Sequence, residues 1–143
     1  MVDATPDAEL QQAIELLFFG YREFTRGPDR ILERRGLGRV HHRILYFVAR
    51  RPRRSVGALL EVLGVTKQAL SAPLRQLTAM GLVELTPGQA DRRVKQLALT
   101  DAGTALEAEL TGVQTRLLSA AFTQARPRDA AAWARVMRAL AKR

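Results

Sequence analysis

The stretch Ser55-Val56-Gly57-Ala58-Leu59-Leu60-Glu61-Val62-Leu63-Gly64-Val65-Thr66-Lys67-Gln68-Ala69-Leu70-Ser71 decides how this chain is read. Ser55 is placed to cap a helix that carries Val56, Leu59, Leu60 and Leu63 on one side. Gly64-Val65 supplies a tight turn. Thr66 then caps a second helix built on Leu70, Leu74 and Leu77, which closes at Met80-Gly81, where glycine adopts the left-handed conformation. Two short helices joined this way can present the second one to a DNA major groove.

Downstream the period changes. Leu82 to Thr86 reads as a strand, Pro87 to Arg92 as a turn and Val94 to Leu99 as a second strand, making a hairpin with basic residues near its tip. A helix-turn-helix followed at once by a basic hairpin is a winged arrangement. By itself a helix pair joined at glycine is a weak signal, and the succession is what carries weight.

Upstream, Leu10, Ile14, Leu17, Tyr21 and Phe24 repeat at helical spacing, with Gly27-Pro28 expected to stop that helix and Pro28 to open a short one through Arg35. Val40, Ile44, Phe47 and Val48 mark a further helix ending near Arg51-Pro52. Beyond the hairpin, Thr100-Asp101 starts a helix with the stripe Leu106, Leu110, Val113, Leu117 and Ala121. Pro127 separates a last helix with Trp133, Val136, Met137 and Leu140. The fold class is thus mainly α with a small β-hairpin wing. We divide the chain into amino-terminal dimerisation helices (1–36), a winged helix-turn-helix domain (37–100) and carboxy-terminal dimerisation helices (101–143). The end helices are assigned to dimerisation because one small domain is not expected to cover their stripes, and an isologous interface buries the same patch twice.

Composition bounds the function. The 143 residues are 47% hydrophobic, enough for a core, and contain no Cys and two His. Disulfides, thiolate chemistry and iron–sulfur ligation are therefore excluded. The start, Met1 to Asp7, is acidic and lacks an apolar stretch, so no secretory signal is expected. The apolar runs Leu16–Phe19 and Ile44–Ala49 are too short to cross a bilayer, and a cytoplasmic location follows as an expectation. No phosphate loop, nucleophile elbow or metal-ligand cluster is present, so no enzyme activity, cofactor or metal is expected. The net charge of +9 is uneven. Residues 50–95 hold nine basic side chains against three acidic ones, while residues 1–49 are balanced. A basic middle third suits a polyanion, since each neutralised phosphate releases counterions.

The run from Leu37 to Gly103 resembles the MarR family of winged-helix transcriptional regulators. Val40-His41-His42-Arg43-Ile44-Leu45, Leu63 through Ser71, Leu77 through Glu84, Asp91-Arg92-Arg93 and Leu97-Ala98-Leu99-Thr100-Asp101-Ala102-Gly103 carry the likeness. It implies an obligate homodimer whose two recognition helices read a pseudo-palindromic operator in double-stranded DNA, more often as a repressor. It also implies a small, often anionic aromatic effector held between the dimer helices and the DNA-binding lobe.

The residues say how such reading would work. Thr66, Lys67 and Gln68 lead the recognition helix into the groove, with Ser71 and Arg75 also off its apolar face. Gln pairs with adenine, Ser is tolerant, and Arg or Lys favours guanine or phosphate. Arg92 and Arg93, with Lys95 behind them, suit a narrow minor groove or phosphates, and Asp91 is expected to orient an arginine. Arg53 and Arg54, in the run Arg50-Arg51-Pro52-Arg53-Arg54, either approach the DNA backbone or form a solvated loop. Two features depart from the family pattern. Ala72 stands where many relatives carry a basic residue, and Pro73 lies inside the recognition helix, predicting a bend or local widening near Ala69.

His41, His42 and Tyr46 are the candidate effector-pocket residues. Adjacent histidines lie about 100° apart around a helix, so they cannot share a metal as an i,i+4 pair would. The plainer expectation is one histidine packed at the junction and the other in solvent. An alternative function for the whole chain is a nonspecific or architectural nucleic-acid binder that exploits the basic segment without sequence preference.

Overall fold

The computed structural model describes residues 5–143, and the reading of residues 1–4 as part of a non-secretory start lies outside them. In chain order the elements are α1 (Asp7–Arg34), α2 (Arg39–Arg50), β1 (Arg54–Ser55), α3 (Val56–Leu63), α4 (Lys67–Ala79), β2 (Val83–Pro87), β3 (Lys95–Leu99), α5 (Asp101–Gln124) and α6 (Asp129–Ala141). Mainly helical, with a winged helix-turn-helix at its centre, the chain has the fold class its sequence predicts.

Local chemistry sets most boundaries. Ser55 Oγ accepts the Ala58 N–H (3.0 Å), Thr66 Oγ1 that of Ala69 (3.1 Å) and Thr100 Oγ1 that of Gly103 (3.0 Å), so each supplies a missing partner to the first turn of α3, α4 or α5. At the far end of α4, Gly81 takes φ +72°. This lets the N–H groups of Gly81 and Leu82 return to the Thr78 and Leu77 carbonyls.

Two elements differ from expectation. Gly27-Pro28 does not divide the amino-terminal helix, and α1 runs on to Arg34 with Pro28 buried inside it. Pro28 deprives the Phe24 carbonyl of its helical N–H partner, and the Gln114 side chain of α5 donates to that oxygen instead (3.5 Å). Gly27 allows α5 this close, because a Cβ there would stand 2.6 Å from Val113 Cγ1. The wing, read as a two-stranded hairpin, is a three-stranded antiparallel sheet in the order β1-β3-β2. Arg54 faces Leu97 and Ser55 faces Gln96 across β1–β3, while β2 and β3 pair from Val83↔Leu99 to Pro87↔Lys95.

One apolar core joins these pieces. Leu59 of α3, Leu70, Leu74 and Leu77 of α4, and Leu97 of β3 pack with Ile44, Leu45 and Val48 of α2. Leu32 of α1 and Leu106 and Leu110 of α5 belong to the same cluster. This corrects the reading of the α5 stripe as free of the winged core: Leu110 is fully enclosed within its own chain. Only the outer part of that stripe, including Leu117, is left exposed. Gly103 is needed at the seam, where a Cβ would collide with the Leu82 carbonyl.

Candidate nucleic-acid interface

α4 turns Leu70, Leu74 and Leu77 inward, and the same rotation leaves Thr66, Lys67, Gln68, Ser71 and Arg75 exposed. The Thr66 hydroxyl is committed as acceptor to the helix cap, which sets the helix start and brings Lys67 and Gln68 to its leading end. Pro73 neither ends nor splits α4. All residues from Lys67 to Ala79 are α-helical, so Pro73 is accommodated without interrupting the helix. The Ala69 carbonyl loses its partner at an exposed position, where water can satisfy it. Ala72 is also exposed and offers only a methyl group.

In the wing, the Gly88 N–H donates to the Val94 carbonyl (2.8 Å) and the Val94 N–H to that of Asp91 (3.1 Å). Asp91 grips Arg93 at both oxygens. Its Oδ1 accepts from the Arg93 backbone N–H (3.0 Å) and Nε (3.1 Å), its Oδ2 from the guanidinium NH2 (3.1 Å). These bonds, the side-chain ones foremost, hold the Asp91 carboxyl below the usual range. Arg93 still has 91% of its side chain in solvent, and Arg92 and Lys95 are exposed beside it. The wing tip thus presents two exposed cations and one pre-aligned arginine.

The Arg50–Arg54 run splits by environment. Arg50 stays exposed but reaches across to α5, donating to Glu107 Oε1 (2.8 Å) with its guanidinium 4.3 Å from the Tyr46 ring centre. Arg54 lies over Phe47, at 5.7 Å from the ring centre. Arg53 is exposed with φ +69°, and its N–H pairs with the Leu97 carbonyl (2.9 Å), which turns the chain into β1. Arg50, Arg51 and Arg53 are all exposed and Arg54 is half-buried, and of the exposed three Arg50 is engaged by Glu107.

The two histidines do not share one wall, and neither lies in solvent. His42 lines a cavity of about 310 Å³ between α1, α2 and α5, whose other walls include Tyr21, Phe24, Arg39, Arg43 and Tyr46. Its Nε2 meets Thr111 Oγ1 (3.2 Å), and burial pushes its pKa down against the opposing charge of Glu107. Arg43 donates to the Tyr21 hydroxyl (2.9 Å), and Arg39 pairs with Asp29 through two nitrogens. His41 lies outside the cavity. It is buried against α4, with its ring on Gln76.

Three contributors had no voice in the sequence reading. Glu107 interrupts an apolar stripe between Leu106 and Leu110, the one signal that could have marked it, and is buried with its second oxygen unpartnered. Gln76 carries no sequence signal. Neither does the brief pairing of β1, two residues long.

Comparison with known proteins agrees with this geometry. A MarR family profile matches residues 35–94. The chain is 44% identical over 134 residues to the HTH-type transcriptional regulator PetP of Rhodobacter capsulatus, covering 94% of this chain and 81% of that one. Among solved structures, a MarR family transcription regulator superposes with a TM-score of 0.79 at 21% identity, covering 95% of this chain and 90% of its own. The transcriptional regulator BldR from Sulfolobus solfataricus superposes with a TM-score of 0.70 at 21% identity, covering 98% of this chain and 100% of its own. At those identities the two structures speak for the fold alone.

Proposed function

Since the chain belongs to the MarR family of DNA-binding transcriptional regulators, which are not enzymes, we propose that it is a homodimeric, sequence-specific repressor that reads a pseudo-palindromic operator. The observation that carries this reading is the outer face of α4, where Lys67, Gln68, Ser71 and Arg75 stand free opposite a buried leucine face. The helix would enter the major groove by its leading end. Arg92, Arg93 and Lys95 would reach the neighbouring minor groove or phosphates, with Asp91 orienting Arg93, and Arg53 and Arg54 would follow the backbone.

Dimerisation is supported by what one chain leaves uncovered. Leu10, Ile14, Leu17 and Phe18 of α1, Leu117 of α5 and Trp133, Val136 and Leu140 of α6 are exposed, and α6 buries no residue. A second copy would cover these stripes and space the two readers by about one DNA turn, roughly 34 Å. The cavity between arms and lobe would take a small aromatic effector. Its volume lies at the lower end of ligand pockets, and its walls combine Phe24 and Tyr46 with His42, Arg39 and Arg43. A cytoplasmic location fits this role, and among the described residues no helix is long and apolar enough to cross a membrane.

Selection of duplexes from a randomised pool, followed by mobility shift, tests the proposal. The expected result is a two-fold symmetric motif bound well above unrelated DNA. Equal binding of every duplex would remove the specificity claim and leave the nonspecific, architectural reading.

A further inference from the structure

A closed polar bridge ties the recognition helix to the corner between α1 and α2. The corner has two glycine ends. Gly36, at φ +70°, closes α1 by returning its N–H and that of Leu37 to the Glu33 and Leu32 carbonyls. Gly38 precedes α2, and its N–H donates to His41 Nδ1 (2.9 Å). With Nδ1 accepting, the ring proton of neutral His41 resides on Nε2, and this donates to Gln76 Oε1 of α4 (2.9 Å). The same amide then turns its NH2 to the Gly36 carbonyl (3.1 Å). Gln76 thus bonds the Gly36 end of the corner directly and reaches the Gly38 end through the His41 ring. His41 is buried, while Gln76 lies beside Arg75 on α4.

We infer that His41 and Gln76 are positioning residues that set the attitude of the recognition helix relative to the α1 arm, and thereby the half-site spacing the dimer accepts. This rests on the dimeric, operator-reading function proposed above. The leucine face of α4 resists its withdrawal from the core but is nondirectional, so it leaves sliding and rolling weakly opposed. Directional hydrogen bonds to the corner oppose both motions.

Two variants separate bridge from scaffold. His41→Gln keeps an acceptor for the Gly38 N–H, since glutamine at the third helical position suits that bond, but severs the reach to Gln76. Gln76→Leu cuts the bridge from the other side at an exposed position. The probes are a duplex selected with the wild-type protein and the same duplex with one base pair inserted between its half-sites. Wild type is expected to prefer the selected duplex strongly. Both variants should remain dimeric, bind unrelated DNA unchanged, and lose about tenfold of that preference, the scale of one lost hydrogen bond. In nitrogen NMR spectra, His41 should show its proton on Nε2, and Gln76→Leu should shift that signal. Unchanged discrimination in a folded variant overturns the inference, as does equal weakening towards all DNA. A selection that returns no two-fold motif overturns the proposed function instead and takes the inference with it.

Discussion

The lobe and the arms use the same kind of sequence and reach opposite ends. Leu70, Leu74 and Leu77 on α4 repeat at helical spacing and are buried within one chain, whereas Leu10, Ile14 and Leu17 on α1 repeat the same way and stay exposed. An apolar stripe therefore announces that a face will be covered, not what covers it. α5 contains both cases in one helix. Its first turns, with Leu106 and Leu110, close the lobe, and Leu117 further along belongs to the bare arm.

Substitutions can break that contrast, and the largest effect belongs to the lobe. Leu110→Lys places a charge at a fully enclosed site with no partner and is expected to cost about 3–5 kcal/mol or more, unfolding the subunit. Circular dichroism and chemical denaturation would show this, and a folded protein of wild-type stability would contradict the assignment of Leu110 to the core. In the arm, Leu17→Lys should leave the subunit folded but weaken self-association by about 2–4 kcal/mol. Sedimentation should then show monomers at concentrations where wild type forms the proposed dimer.

Within the reading surface the expected effects are smaller and differ in kind. Gln68→Ala or Ser71→Ala should alter base preference at one position by about 1–3 kcal/mol, seen by repeating the duplex selection. Arg93→Ala should weaken all sequences alike and lower the salt slope by about one, with folding spared because the side chain is exposed. A sequence-selective loss from Arg93→Ala would show that the wing tip reads bases.

The smallest effect sharpens the seam between lobe and arm. Burial lowers the pKa of folded His42 below the ordinary 6.5, so the unfolded chain takes up the proton first as pH falls. Stability is fully present above pH 6.5, declines as pH drops through that value towards the lowered folded pKa, and levels off beneath it. Melting temperatures recorded across that range should fall less in His42→Gln than in wild type.

The helix-turn-helix was legible because its signals are local. A hydroxyl at Ser55, Thr66 or Thr100 caps its own helix, and Gly81 ends its own turn, so a short window suffices. Gly27-Pro28 misled for the complementary reason. The break it encodes is repaired by Gln114, 90 residues along the chain from the Phe24 carbonyl it bonds, which no window around Pro28 contains. The histidines show the same limit. Their adjacency predicted divergent directions, yet which one would meet α4 and which α5 depended on helices packed on either side of α2.

The sequence by itself determined the succession of helix-turn-helix and hairpin, the caps, the buried leucine face of α4, the basic wing and the family, because these depend on near neighbours and on residue type. Tertiary structure alone decided that α1 stays whole through Pro28, that β1 joins the wing, that Leu110 serves the lobe, and that Arg50 pairs with Glu107. Each of those outcomes is settled by a partner distant in the chain, whose approach costs loop entropy first and pays back only when the packed state forms.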